Sequence, residues 1–164
     1  MWNPTQQGVK ETALFELRLA TEDDVEFAFE VKRAPLGPHI TVRWGWDDEL
    51  QRRVHEQRWR ERTWFIITVD GCRAGTVAID EASTHIQFGE FYLLPCYQRK
   101  GIGTVVLRSV LRRADYQAKS VKLEYLKWNP VASLYLRHGF KVDTDNDTHF
   151  FLVRGPLHMN GRNT

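Results

Sequence analysis

A chain of 164 residues, 42% hydrophobic and 27% charged, suits one domain that buries on the order of 70% of its unfolded surface. Its formal charge of +2 is too small to argue for a nucleic-acid partner. Its two cysteines, Cys72 and Cys96, make neither a disulfide framework nor a metal site, so reduced thiols in a cytoplasm are the simplest account. No apolar run approaches the ~20 residues of a membrane span, and residues 1–10 lack a signal peptide's apolar core. A single domain over 1–164 is expected, with loose termini at 1–12 and 157–164.

In chain order, residues 14–19 (LFELRL) alternate apolar and polar, as a half-buried first strand does. Thr21 then caps a helix whose acidic first turn, Glu22 to Asp24, suits the helix dipole. Val25, Ala28 and Phe29 give that helix one apolar face, and Pro35, Gly37 and Pro38 are expected to break it after Arg33. A loop over 40–48 carrying Trp44 and Trp46 follows, with Asp47 or Asp48 capping a second helix through Leu50, Val54 and Trp59. Arg52, Arg53, Arg58, Arg60 and Arg62 on that helix read as a solvated face. Residues 63–69 form a strand, Asp70-Gly71 a hairpin turn, and 72–80 the partner strand.

Residues 81–85 turn into a central strand, 86–94, which is apolar and aromatic on both faces like an interior strand. Pro95 ends it. Residues 98–104, Gln-Arg-Lys-Gly-Ile-Gly-Thr, then open a helix with Val105, Val106, Leu107, Val110 and Leu111 on its inner side. Gly101 and Gly103 let the backbone turn tightly and approach a ligand. The helix start has unpaired N–H groups and the positive dipole end. That combination suits a phosphate or pyrophosphate, with Arg99 and Lys100 at the rim. Neither a Walker A loop nor a dinucleotide-binding GxGxxG is present. Downstream lie a strand at 121–126, an Asn129-Pro130 helix start and a short helix closed by Gly139. Strands at 141–143 and 149–154, around an Asp145-Asn146-Asp147 turn, close the chain.

The Q-x-x-G-x-G of 98–103 and the N-x-x-A-x-x-x-x-x-x-G-F of 129–140, with Leu134-Tyr135 inside the second, occur in that order with a helix and a strand between them. Together they resemble the GNAT superfamily of N-acetyltransferases over residues 86–140. The resemblance implies a mixed, mainly antiparallel α/β sheet flanked by helices, the acyl-CoA N-acyltransferase fold, which the pattern of hairpins and two helical crossovers also suggests. It implies acetyl-CoA as co-substrate and no metal. The coenzyme's pantetheine arm would lie where the central strand and the strand from Val121 splay. By resemblance, the main chain of Phe91, Tyr92 and Leu93 pairs with the pantetheine and an N–H there polarises the thioester carbonyl. Gln98, Arg99, Lys100, Gly101, Ile102, Gly103 and Thr104 hold the pyrophosphate, and Asn129 contacts the coenzyme. Tyr135 is the expected general acid to the leaving thiolate.

Histone-type members place a catalytic glutamate where counting back from Gly101 finds Gln87, which cannot act as a base. Glu90, three residues on, faces the other way in a regular strand. A β-bulge between them would restore the face and make Glu90 the base; His85 and an ordered water are the alternatives. Cys96 reads as a small loop cysteine and not as an acyl carrier, because nothing fixes a histidine beside it. Trp44, Trp46 and Asp47 could line the acceptor pocket, since aromatic walls and a carboxylate suit a cationic amine; a core plug with an aspartate cap is the competing reading. The expected activity is direct acetyl transfer to a primary amine of a small molecule or peptide. A non-catalytic acyl-CoA-binding sensor of the same fold is the alternative. A nucleic-acid reading through Arg99, Lys100, Arg108, Arg112, Arg113, Lys119 and Lys122 is opposed by interspersed Asp115 and Glu124. No nucleic-acid or membrane partner is expected, and a homodimer is left open.

Overall fold

The computed structural model describes residues 15–45, 47–127 and 129–158, and within helix α1 it leaves the side chains of 35, 36, 38–40 and 42–44 undescribed. The elements are β1 (Phe15–Leu19), a 3-10 turn (Glu22–Asp24), α1 (Val25–Trp44), α2 (Asp48–Glu61), β2 (Trp64–Val69), β3 (Cys72–Glu81) and β4 (His85–Leu93). A second 3-10 turn (Pro95–Tyr97), α3 (Ile102–Tyr116), β5 (Ser120–Leu126), α4 (Ala132–Leu136), β6 (Lys141–Asp145) and β7 (His149–Arg154) complete them. Strand pairing runs β1-β2-β3-β4-β5-β7-β6 through one seven-stranded sheet. β1–β2, β2–β3, β5–β7 and β6–β7 pair antiparallel and β4–β5 parallel, so the mixed, mainly antiparallel α/β expectation holds. Among the described residues no helix is long and apolar enough to cross a membrane.

The chain divides into two compact units: the described residues up to Asp80 with Gly89–Gly103, and Glu81–Phe88 with the described residues from Thr104 onward. In the first, β3 buries an unbroken run from Ala74 to Ile79, as an interior strand must, while β1 buries only Leu17. Asp70 and Gly71, with φ of 50° and 79°, make the tight turn between β2 and β3. Asp24 ties this unit's start together. Its carboxylate accepts two hydrogen bonds from Arg18, at 2.7 and 2.8 Å, and one from the Thr21 N–H at 2.9 Å. His55 is buried among Phe29, Trp59 and Trp64 and donates Nε2–H to the Val25 carbonyl across 3.1 Å, joining α2 to α1.

Helix α1 corrects one expectation. It runs through Pro35, Gly37 and Pro38 to Trp44 instead of stopping after Arg33, so most of the expected loop over 40–48 is helical. A proline's φ near −65° is already helical; it removes one hydrogen bond and crowds the preceding turn without forcing the backbone out of the α region. The stop falls at Gly45, whose φ of 72° is left-handed and whose N–H still reaches the Thr41 carbonyl at 3.2 Å.

In the second unit, β4 begins with Ile86 and Phe88 buried, and α3 buries Val106, Leu107, Val110, Leu111 and Ala114 on one face. The parallel register of β4 with β5 pairs His85, Ile86 and Gln87 with Ser120, Val121 and Lys122. β5 alternates strictly, burying Val121, Leu123 and Tyr125. Arg154 at the end of β7 reaches Asp115 of α3 through two hydrogen bonds, at 2.7 and 3.1 Å.

Two predictions follow from the first unit. A Cβ at Gly75 of β3 would fall 2.2 Å from the Tyr92 carbonyl oxygen and 2.9 Å from Leu93 Cδ2. A backbone oxygen cannot step aside, so Gly75→Ala should cost about 1–3 kcal/mol, lowering the thermal midpoint by roughly 2–12 °C; an unchanged midpoint would show that β3 and β4 part freely. The Arg18 guanidinium holds the Asp24 carboxyl well below the usual carboxylate range, overcoming the opposing effect of burial. A carboxylate depressed by folding stabilises above its unfolded pKa of about 3.9 and loses that contribution as pH falls. Urea midpoints of wild type and Asp24→Asn should therefore differ most at neutral pH and converge progressively below about pH 4.

Candidate functional site

In the first unit the candidate residues follow a change of backbone hand in β4. From His85 to Glu90 the strand alternates half-buried and buried residues, which puts Glu90 on the buried side with Ile86 and Phe88 and not with Gln87. At Glu90 itself φ is 46°, in the left-handed region that a non-glycine strand residue rarely adopts. The bulge expected between Gln87 and Glu90 is not formed, so Glu90 keeps the face opposite Gln87, and the irregularity falls at Glu90 itself.

Three contacts hold that residue. The Thr76 hydroxyl donates to the Glu90 carbonyl at 3.0 Å. Arg58 Nη1 donates to Oε1 at 2.6 Å, and Lys32 Nζ lies 3.4 Å from Oε2. Both Glu90 and Lys32 are buried. Burial alone would push the Glu90 carboxyl up, but Lys32 and then Arg58 outweigh it and hold it below its ordinary value. Burial pulls the Lys32 ammonium down despite Glu90's support.

Past Glu90, residues Phe91, Tyr92 and Leu93 are each half-buried, and the Leu94 N–H bonds the Ala74 carbonyl at 2.8 Å. The Gln98 side chain turns back and donates Nε2–H to the Leu93 carbonyl at 2.9 Å. Gln98 thus braces the loop with its side chain. Arg99 and Gly101 are left-handed, φ 61° and 79°, on either side of Lys100, an alternation that curves successive N–H groups into an anion-binding concavity. A Cβ at Gly101 would meet nothing within 4 Å, so that turn opens outward. Gly103 sits differently: a Cβ there would lie 3.5 Å from Phe91 Cζ, an ordinary van der Waals contact, so the start of α3 lies against β4 at this point. Ile102 is buried and anchors the helix start, while Arg99 and Lys100 stay exposed.

The second unit holds Thr104, His85, Asn129 and Tyr135. Asn129 N–H closes a turn to the Leu126 carbonyl at 2.8 Å. Tyr135 is 6% exposed, with its ring 5.9 Å from that of Tyr125 and 5.7 Å from that of Phe140. Its hydroxyl makes no hydrogen bond among the described residues. Burial, and secondarily Tyr125, push the phenol far above its usual value, so it stays protonated. His85 opens β4 with Nδ1 3.2 Å from the Thr84 hydroxyl.

The acceptor candidates fare differently. Trp46 lies outside the described residues, and Trp44 ends α1 with its side chain undescribed. Asp47 caps α2, accepting from the Leu50 N–H at 3.1 Å. Cys72 and Cys96 are exposed free thiols. Sequence reasoning missed Lys32 and Arg58. Lys32 falls seven residues after Val25 on the Val25–Ala28–Phe29 stripe, a place where a lysine is out of pattern. Arg58 was read into a solvated face, yet it follows buried His55 by three residues and turns to Glu90.

Comparison with known proteins bears on this arrangement. No curated protein sequence matches the chain. Among solved structures, PaiA N-acetyltransferase from Thermoplasma acidophilum, in complex with coenzyme A, is 18% identical, with a TM-score of 0.67 over 86% of this chain and 98% of that one. Ard1 from Thermoplasma volcanium is 19% identical, with a TM-score of 0.61 over 88% and 99%. The ribosomal-protein-S18-alanine N-acetyltransferase from Escherichia coli is 17% identical, with a TM-score of 0.63 over 92% and 98%. At such identities these likenesses speak for the fold alone. The Acetyltransferase (GNAT) domain model goes further: it matches residues 60–142, from the end of α2 into β6, and takes in the left-handed Glu90, the glycine turn and the Asn129–Phe140 motif. By that match the chain belongs to the GNAT family of acetyltransferases.

Proposed function

We propose that the protein is an acetyl-CoA-dependent N-acetyltransferase that passes the acetyl group directly to a primary amine of a small molecule or peptide. The observation that carries this is the outward-open turn at Arg99–Gly101, within a chain of this family and beside two exposed cations. A turn of alternating hand followed by a helix start offers N–H donors to a pyrophosphate without needing any side chain. Acetyl-CoA, when bound, supplies an activated acetyl thioester. Residues 99–104 would hold its pyrophosphate, the main chain of Phe91, Tyr92 and Leu93 its pantetheine arm, and Asn129 a further contact.

Within this reading each protein group has a definite protonation state. Tyr135 is protonated and has no hydrogen-bond partner among the described residues, so its proton is available to the departing thiolate, while the burial that keeps the phenol protonated also makes it a weaker acid. Glu90 is kept ionised by Lys32 and Arg58, which makes it a weak base. It would therefore take the amine's proton through an ordered water. The same occupied carboxylate favours the second reading, a sensor that binds acyl-CoA without transferring the acyl group. Tight acetyl-CoA binding with no coenzyme A release across amine classes would decide for the sensor.

Gly101→Val should weaken acetyl-CoA binding about tenfold or more by calorimetry. The open space around Gly101 makes backbone strain, not a clash, the structural cost, so the fold should survive. Unchanged affinity would take the turn out of the coenzyme site. In a coenzyme A release assay across amine classes, Tyr135→Phe should lower kcat by ~10²–10⁴-fold with KM for acetyl-CoA nearly constant. A rate within about threefold of wild type, short of that general-acid range, would reduce Tyr135 to packing. Because the phenol is pushed up so far, its loss should leave the rate profile unaltered up to about pH 10, the ordinary phenol value.

A further inference from the structure

The second unit contains a cavity of about 430 Å³ between α3, the end of α4 and the chain just after β7. Arg108 and Arg112 come from α3, Arg137 and His138 follow α4, and Arg154 with Asp115 lies at the rear. Arg154 is only 6% exposed and is engaged with Asp115. Asp115 Oδ1 also accepts from the Leu157 N–H at 2.9 Å, so this carboxylate has three donors and little capacity for a further cation. Arg108, Arg112 and Arg137 are exposed and make no ion pair or hydrogen bond among the described residues. Four guanidinium groups face one carboxylate here, an excess of three positive charges in a chain whose formal net charge is only +2.

Such a concentration needs an explanation. Arg108 and Arg112 stand one helical turn apart, where like charges destabilise a helix. A ligand bearing several negative charges would remove that repulsion. Guanidinium forks match phosphate oxygens in pairs, and the apolar surface of Leu111 and Leu157 could carry a ring or a short chain. His138 adds a further group: its Nδ1–H donates to the Leu134 carbonyl at 2.6 Å, which leaves Nε2 for a hydrogen bond with a ligand. The cavity has the size of a small-molecule site.

We infer that this cavity binds a small phosphorylated molecule carrying at least two phosphate charges, at a site separate from the glycine turn. All its lining residues belong to the second unit, and none falls within residues 98–104. The inference does not depend on the proposed function.

Inorganic tripolyphosphate is a suitable probe, titrated calorimetrically near physiological salt into the full chain, with and without saturating coenzyme A. The expected result is one tripolyphosphate per chain when coenzyme A is saturating; a further equivalent that appears only without coenzyme A belongs to the glycine turn. Arg108→Ala/Arg112→Ala should weaken that binding about tenfold or more and leave coenzyme A affinity unchanged, since alanine at exposed helical positions preserves the helix. Gly101→Val should keep the equivalent that coenzyme A does not displace from wild type, so a failure of the coenzyme reading cannot be mistaken for failure of this one. An equal loss in Arg53→Ala/Arg60→Ala, an exposed pair on α2, would reduce the effect to general charge attraction and overturn the site. Loss of the probe when coenzyme A binds, or the absence of stoichiometric binding, would overturn it too.

Discussion

The left-handed backbone at Glu90 is the constraint around which the first unit is arranged. A non-glycine residue in that conformation stores about 1–3 kcal/mol of strain, and a strand offers no reason to adopt it. What holds it is tertiary: Thr76 from β3 fixes the carbonyl, while Lys32 from α1 and Arg58 from α2 fix the carboxylate. A buried ion group of this kind adds little net stability over a well-packed apolar one, but breaking it by removing one member leaves a buried charge alone. Its effect here is to specify one backbone path. Beyond Glu90 that path is pressed against Gly75, joined to Ala74 through Leu94 and braced by Gln98, and it leads directly into the glycine turn.

The parts of this arrangement that were legible in the sequence are those set by local chemistry. Strand positions and the mixed, mainly antiparallel character of the sheet followed from alternation, turn residues and the two helical crossovers. The 149–154 strand and the Asp70-Gly71 turn fall where the pattern put them, because a two-residue period and a positive φ leave direct marks. The glycine turn was visible for the same reason, and its Gly103 also lies against Phe91 of β4.

The illegible parts are those in which distant segments decide. Pro35 and Pro38 read as breakers because local propensity says so, yet α1 continues past them. Lys32 and Arg58 look like ordinary helix-surface cations until the fold brings a carboxylate to them. Asp47 could be read as a substrate ligand or as a cap, and the bond from Leu50 that makes it a cap depends on geometry that the residue types do not show. Tyr135 is legible from its motif, but its protonation state depends on burial and, secondarily, on Tyr125, which no motif encodes.

The division of the chain at Asp80, Phe88 and Gly103 has a consequence for biosynthesis. Each unit is assembled from two separated stretches, and β4 contributes its first half to one and its second half to the other. Neither unit is a continuous piece of the gene. On the ribosome the first cannot be completed until Gly103 has emerged, and by then all of Glu81–Phe88 has emerged without the rest of its own unit. Those eight residues include Ile86 and Phe88, both fully buried at the end of folding. Until β5 emerges, His85, Ile86 and Gln87 lack their parallel partners Ser120, Val121 and Lys122, and an uncovered strand edge of this kind is what chaperones hold and what aggregates. Slow translation beyond Gly103 would lengthen that exposure, whereas a pause before Glu81 would not.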